Sequence, residues 1–243
     1  MPLSIGATYR GEMTVRLEAV TYDAHDPQAA AVFWAEMLGR TTVDEGGAVL
    51  VPGDATQVGL RFVAATPGNS GSERLHLHVT SDTPEDQQHA LDDVLRLGGR
   101  RRGTGALPMG RDLYMADPDG NEFCLIEPGN AYLADCGPLG EVTCEGGRAT
   151  GLFWRDALAW MLVWDEGEQT AIQSPAGGTK IAWDLSPDTP TTGRTRQRFD
   201  LLAADPEAEA ERLVGLGAAS RGERDGALLF ADPDGMEFSI RQG

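Results

Sequence analysis

Apolar residues along this chain recur with two spacings. One is the three- to four-residue spacing of amphipathic helices, and the other is the every-second-residue spacing of half-buried strands. A first helix is predicted to begin at Asp26-Pro27, because an aspartate caps free amide groups and a proline suits the first helical position. Its apolar stripe runs to Leu38, and Gly39 ends it. Strand-like alternation is clearest at residues 58–63 and 180–185. Further helices are predicted to begin at Thr83-Pro84 and Asp205-Pro206.

Three stretches of sequence occur twice, in the same order and at nearly the same spacing, which indicates an internal duplication. The most specific one contains Asp-Pro-Asp-Gly, at residues 117–120 and again at 232–235. This tetrapeptide is typical of a turn between strands, since proline fixes φ and glycine tolerates a positive φ. The repeated pairs are Met115–Leu125 with Phe230–Ile240, Phe33-Trp34 with Phe153-Trp154, and Arg74–Val79 with Arg196–Leu201.

The order of the predicted elements gives the fold class. Each half of the chain reads twice as a strand, a helix and three strands, so we predict four βαβββ units and an α+β fold. We predict an irregular leader over residues 1–13, a first domain over 14–129, a linker over 130–138 and a second domain over 139–243.

The composition narrows the range of partners. Apolar residues make up 41% of the 243 residues and charged residues 24%, which is typical of a globular protein. The formal net charge of -18 repels phosphate backbones and anionic membrane surfaces, so neither nucleic acid nor a membrane is an expected partner. The sequence also contains no apolar run long enough to span a bilayer.

The cysteines indicate the redox compartment. Cys124, Cys136 and Cys144 are odd in number and form no Cys-x-x-Cys pair, which argues against a disulfide framework and against a thiolate zinc site. The first residues have neither the basic start nor the apolar core of a signal peptide. We therefore expect a reducing, cytoplasmic location.

The repeated motifs resemble those of the vicinal-oxygen-chelate superfamily, in its glyoxalase/bleomycin-resistance branch. The resemblance extends over residues 14–243 and implies two tandem glyoxalase-like domains whose concave mixed sheets hold a small molecule. It also implies that one duplicated chain supplies the pairing that many relatives obtain by dimerising, so a monomer or a homodimer is expected. The motifs that carry it are Phe-Trp in the first helix of each half, Arg-x-His-x-His at 74–78, Leu-Gly-Gly at 97–99 and Asp-Pro-Asp-Gly-x-Glu-Phe before each last strand.

In metal-using members of this superfamily, a cup formed by two units holds a divalent ion through three side chains. The resemblance maps these positions onto Ala19, His76 and Cys124 in the first half, and onto Glu141, Arg198 and Ser239 in the second. Alanine offers no ligand atom and arginine carries a fixed positive charge, so no cofactor is predicted and a divalent metal is disfavoured. Glu141 is expected to pair with Arg198, and Glu141 and Ser239 remain candidate ligand contacts.

Two histidines of the repeated motif are the first candidates for chemistry. His76 and His78 lie two residues apart in a predicted strand, so both side chains point to one face, predicted to be the concave one. Because histidine titrates near neutral pH, His76 is the candidate acid–base residue and both are candidate ligand contacts. The alternative is a structural histidine beside one at the rim. Cys124 is a candidate ligand contact, or a nucleophile if His76 lowers its pKa, and otherwise packs as a small apolar residue.

Two arginines and a tryptophan complete the candidate ligand contacts. Arg61 and Arg198 are candidates to bind an anionic group, since a guanidinium forms paired hydrogen bonds with carboxylate or phosphate. Their alternative role is in internal salt bridges, and Asp200 offers Arg198 such a partner. Trp183 is a candidate aromatic wall for a planar ligand, or an ordinary core residue.

Three functions follow as hypotheses. The favoured one is a binding protein that sequesters an aromatic metabolite or antibiotic, as the resemblance to bleomycin-resistance proteins implies. The alternative is a glyoxalase-like lyase, isomerase or dioxygenase, either metal-dependent through an unusual ligand set or metal-free with His76 as the acid–base residue. A scaffold role, in which the cups bind nothing, ranks third.

Overall fold

Four βαβββ units follow one another in the computed structural model, which describes residues 15–65, 73–102, 112–185 and 195–243. The first contains β1 (Val15–Ala24), α1 (Pro27–Leu38), β2 (Val43–Asp44), β3 (Ala48–Val51) and β4 (Gly59–Ala64). The second contains β5 (Leu75–Val79), α2 (Pro84–Arg96), β6 (Arg100–Arg101), β7 (Leu113–Ala116) and β8 (Glu122–Leu125). The third contains β9 (Leu139–Glu145), α3 (Arg148–Leu158), β10 (Met161–Glu166), β11 (Gln169–Gln173) and β12 (Lys180–Leu185). The fourth contains β13 (Gln197–Ala203), α4 (Pro206–Leu216), β14 (Ala219–Arg224), β15 (Ala227–Ala231) and β16 (Glu237–Gln242).

The predicted α+β fold of four units is confirmed. The predicted leader over residues 1–13 lies outside the described residues, and the domain boundaries stay predictions. Among the residues that the structure describes, no helix is both long and apolar enough to cross a membrane.

The predicted helix starts are confirmed, and side-chain caps explain them. The carboxylate of Asp26 accepts a hydrogen bond from the backbone N–H of Ala29 at 3.0 Å, and Asp205 accepts one from Ala208 at 3.1 Å. Thr83 begins α2 in a reciprocal capping box with the third helical residue. Each cap satisfies an amide that the helix leaves unpaired.

The two eight-stranded mixed sheets combine units from different halves of the chain. Sheet A has the order β14-β15-β16-β13-β1-β4-β3-β2 and joins the fourth unit to the first. Sheet B has the order β10-β11-β12-β9-β5-β8-β7-β6 and joins the third unit to the second. The mapping of one ligand-binding cup onto each half of the sequence is therefore wrong, since each sheet takes one unit from each half.

The repeated Phe-Trp and Asp-Pro-Asp-Gly motifs are partners in the core. The indole Nε1 of Trp34 in α1 donates to Asp117 Oδ2 at 3.0 Å, and that of Trp154 in α3 donates to Asp232 Oδ2 at the same distance. Both tryptophans are buried, and Trp34 also packs edge-on against Phe123. A buried indole N–H needs an acceptor, so these motifs occur together in each half.

Asp232 gives a testable pH dependence of stability. Burial raises its pKa to about 6, although hydrogen bonds from Trp154 and Met236 oppose the rise. An unfolded aspartate titrates near about 3.9, so neutral Asp232 stabilises the fold fully below that pH and loses this contribution as the pH rises through about 6. We expect the stability of Asp232→Asn relative to wild type to increase by roughly 1–3 kcal/mol between about pH 4 and pH 7, as measured by urea unfolding. The exposed Asp82→Asn is the control, and a parallel trend in both variants would contradict this assignment.

Two buried glutamine side chains join the sheets. Oε1 of Gln197, at the start of β13, accepts the backbone N–H groups of Arg74 and Leu75 at 2.8 Å each. Its Nε2 donates to the carbonyl of Leu75 at 3.0 Å. Gln57, just before β4, makes the same kind of contact with sheet B, because its Oε1 accepts the N–H of Leu139 at 3.1 Å. At the junction of the two sheets, called here the seam, glutamine side chains from sheet A and its edge thus hydrogen-bond backbone groups of sheet B.

Candidate functional site

The candidate site lies on the face of sheet B that points away from the central core, called here the outer face. In the strand register, His78 lies opposite Glu141 on β9 and opposite Cys124 on β8, and His76 lies opposite Thr143. Because alternate residues of a strand share a face, these five side chains come together. The intervening residues of β5 and β9, such as the fully buried Val142, belong to the core instead.

His76 and Cys124 are in direct contact, with 3.2 Å between His76 Nε2 and Cys124 Sγ. Burial lowers the pKa of His76 to about 3, with the neighbouring His78 adding to the effect. Burial also raises the pKa of Cys124 to about 12. Both groups are therefore neutral at physiological pH, which does not favour a thiolate nucleophile or a metal-free acid–base role for His76.

Aromatic and acidic neighbours surround this pair. The ring of Tyr114 stacks on His76, with 5.5 Å between the ring centroids. The Tyr114 hydroxyl donates to Glu122, and Arg102 donates to the same carboxylate at 2.7 Å. Glu122 adds to the raised pKa of Cys124, after burial and Asp112. The acidic neighbours thus add to burial in keeping the thiol protonated.

Glu141 fixes the second histidine. Its Oε2 lies 2.9 Å from His78 Nδ1 and accepts the Thr143 hydroxyl at 3.2 Å, while its Oε1 accepts the Tyr132 hydroxyl at 2.7 Å. Burial alone would raise the pKa of Glu141, but hydrogen bonds from His78, Tyr132 and Thr143 bring it below its ordinary value. The expected pairing of Glu141 with Arg198 is wrong, because Arg198 lies in sheet A.

Three of the described residues on the outer face form a compact set of potential metal ligands. The ligand atoms of His76, His78 and Cys124 all lie within 4.8 Å of one another. In a tetrahedral zinc site with bonds of about 2.0–2.3 Å, such atoms are roughly 3.3–3.6 Å apart, so small side-chain rotations would suffice. Imidazole and thiolate groups suit zinc, so these residues fit the ion if binding displaces the proton of the Cys124 thiol into solvent. The absence of a ligand at Ala19 does not count against this set, because Ala19 lies in sheet A.

The corresponding face of sheet A is occupied by its own hydrogen bonds, centred on the buried Asp200. Its Oδ2 accepts Thr21 at 2.5 Å and Arg61 Nη1 at 2.8 Å, and its Oδ1 accepts Ser239 at 2.7 Å. Arg198 Nε also lies 3.3 Å from Oδ1. Arg198 and Ser239, two of the candidate ligand contacts, thus already interact with Asp200 within the protein.

Arg61 is held in the same way, by three carboxylates. Besides Asp200, it binds Glu18 at 2.7 Å and Glu45 at 2.8 Å, and its side chain is 3% exposed. The alternative role of the two arginines, internal salt bridges, is the one that the geometry shows.

Trp183 faces the core rather than the outer face. It is fully buried and lies opposite Cys144 in the strand register, with its ring close to Gly146 and Gly151 near the start of α3. A Cβ at Gly151 would come within 1.9 Å of Thr170 Oγ1 and 3.1 Å of the ring, so the helix can approach the sheet there only without a side chain. Trp183 therefore does not form the predicted aromatic wall of a ligand site. It is a core residue, which was the alternative interpretation.

Sequence reasoning missed Thr143 and Tyr132. Thr143 follows Glu141 by two residues on β9, so strand alternation could have placed it on the same face. Tyr132 lies within residues 130–138, which the sequence predicts as a linker. In the structure this segment packs on the outer face, where the buried Leu133 and Cys136 form an apolar cluster with Cys124.

Comparisons with known proteins agree with this fold. A family model described as Glyoxalase-like domain matches residues 19–126 and again 141–241. Glyoxalase I from Zea mays is 17% identical, with a TM-score of 0.63 over 94% of this chain and 92% of that one. A putative dioxygenase from Bacillus subtilis is 16% identical, with a TM-score of 0.59 over 96% of this chain and 86% of that one. A search among curated proteins gave no match.

Proposed function

Because the chain belongs to the glyoxalase-like domain family, we propose that it binds a small molecule on the outer face of sheet B, beside a zinc ion held by His76, His78 and Cys124. The grouping of these three ligand atoms within 4.8 Å carries the proposal. A zinc ion there would supply a Lewis acid with one coordination position open to a substrate, since three protein ligands leave the fourth free.

The residues around the three ligands prepare them for this role. Burial keeps His76 neutral, which is the form that binds a metal, and the stacked Tyr114 ring holds the imidazole in place. Glu141 faces Nδ1 of His78 and so directs Nε2 toward the site. Zinc binding would release the proton of the Cys124 thiol to solvent, and the low dielectric there would then strengthen the attraction between the thiolate and the ion.

We infer one such site per chain, in sheet B. Sheet B carries the compact set of metal ligands, whereas the matching face of sheet A is committed to the hydrogen bonds of Asp200. A duplicated chain would therefore use one of its two sheets for binding and the other for stability.

Zinc titration of the chelator-treated protein tests the proposal. We expect one zinc per chain, and we expect His76→Ala and Cys124→Ala each to weaken binding at least about 100-fold, because two ligands hold zinc poorly. Cys144→Ala is the matched control, since Cys144 is a buried cysteine that faces the core. Equal zinc affinity in all three variants, or no binding by wild type, would refute the site.

A metal-free binding protein is the second candidate, and one observation favours it. His76 Nε2 and Cys124 Sγ already lie within hydrogen-bond distance of each other, at 3.2 Å, and both groups are neutral. In that case the outer face would sequester a small molecule without zinc. Ligand affinity that is unchanged by a chelator would select this alternative.

The remaining expectations about cellular context fit either candidate. Cys124, Cys136 and Cys144 are unpaired, as in a protein of a reducing compartment, so the cytoplasm remains the expected location. A monomer or a homodimer remains the expected assembly.

A further inference from the structure

Tyr132, in the segment between the two predicted domains, connects to the candidate site through one carboxylate. We propose that Tyr132 is a positioning residue, which sets the orientation and the tautomer of His78 by holding Glu141. The metal-affinity part of this inference rests on the proposed zinc site. The tautomer part concerns the protein without metal.

The hydrogen bonds of Glu141 leave it little freedom to rotate. The Tyr132 hydroxyl occupies Oε1 at 2.7 Å, and His78 Nδ1 and the Thr143 hydroxyl occupy Oε2 at 2.9 and 3.2 Å. The side chain of Glu141 is only 7% exposed, so water is a poor replacement for a lost donor. Loss of the Tyr132 hydroxyl would free Oε1 and allow the carboxylate to turn away from His78.

The consequence for His78 follows from its two ring nitrogens. An acceptor-only carboxylate at Nδ1 requires the ring proton at Nδ1, which leaves the lone pair of Nε2 available. Such partners of metal-binding histidines commonly change metal affinity about 10- to 100-fold when they are removed. Glu141 and Tyr132 would therefore act on the metal site without touching the ion.

The rest of the segment is anchored independently of the Tyr132 hydroxyl. Lys180 Nζ lies 3.9 Å above the Tyr132 ring, and the backbone N–H of Tyr132 donates to Asn130 Oδ1 at 3.0 Å. Leu133 and Cys136 are buried in the apolar cluster beneath it. Tyr132→Phe keeps all of these contacts and removes only the hydrogen bond to Glu141.

Two measurements on the full-length chain test the inference. In the metal-free protein, the imidazole ¹⁵N shifts in alkaline buffer should place the proton of His78 on Nδ1 in wild type and share it with Nε2 in Tyr132→Phe. Zinc affinity should fall in Tyr132→Phe, by no more than the loss of about 10- to 100-fold expected when Glu141 itself is replaced. Tyr22→Phe, the same change in the core of sheet A, should alter neither.

A double-mutant cycle then distinguishes a relay from two separate effects. If Tyr132 acts through Glu141, the double variant Tyr132→Phe with Glu141→Gln should bind zinc as weakly as Glu141→Gln alone. Two losses of zinc affinity that multiply in the double variant would overturn the inference, as would an unchanged His78 spectrum in Tyr132→Phe. A wild-type protein that binds no zinc would refute the proposed site, and the His78 spectrum would still decide the role of Tyr132.

Discussion

Replacing Asp200 by alanine should lower the free energy of unfolding by about 3–5 kcal/mol, because removal of the carboxylate shared by a buried ion-pair network leaves its guanidinium groups incompletely compensated. Asp200 is 2% exposed and meets three guanidinium groups, those of Arg61, Arg198 and Arg241 at 2.8, 3.3 and 3.4 Å. Urea unfolding of the full-length chain measures the loss. A large loss would show that this face of sheet A stabilises the fold.

The pH dependence of Asp200→Asn tests the same network. Burial alone would raise the pKa of Asp200, but Arg198, Thr21, Ser239 and Arg61 lower it below its ordinary value. Stabilisation by Asp200 should therefore be complete well above about pH 3.9, the unfolded value, and be lost as the pH falls through the lower folded value.

An exposed pair provides the control. Asp165, which binds Arg148 at the surface, should give no measurable change in stability when replaced by alanine. Equal stability of Asp200→Ala and Asp165→Ala would contradict a structural role for the sheet A network.

Replacing Gln197 by leucine should also cost about 3–5 kcal/mol. Leucine fills a similar volume, but the backbone N–H groups of Arg74 and Leu75 and the carbonyl of Leu75 lose their partner at the buried seam. Each unsatisfied buried group costs about 1–3 kcal/mol. Urea unfolding again provides the measurement.

The matched change Gln88→Leu lies on the exposed surface of α2, where Gln88 binds Asp92. It should change stability by less than about 0.5 kcal/mol. A loss for Gln197→Leu no greater than that for Gln88→Leu would show that water or backbone movement satisfies the seam.

Local structure was predictable from the sequence because local rules decide it. The aspartate–proline starts at residues 26 and 205 and the turns at 117–120 and 232–235 need only their own side chains and backbone preferences. The partnership of Trp34 with Asp117 was not predicted, although both belong to repeated motifs. Repetition identifies residues that the fold requires, but it does not show which of these residues are in contact.

The pairing of units could not be read from the chain. A strand of the first unit can pair with the second or the fourth with equally good alternation, and only tertiary packing decides. The resemblance therefore placed Ala19 with His76 and Glu141 with Arg198, whereas the sheets separate both pairs. His76 and Cys124 were placed together correctly because β5 and β8 belong to one unit.

Anomalous diffraction at the zinc edge, from crystals grown with zinc, tests the central claim that sheet B carries one functional site and sheet A none. We expect one peak per chain on the outer face of sheet B, within bonding distance of His76, His78 and Cys124. We expect no peak beside Asp200. A peak beside Asp200, or no peak at the two histidines and the cysteine, would contradict it.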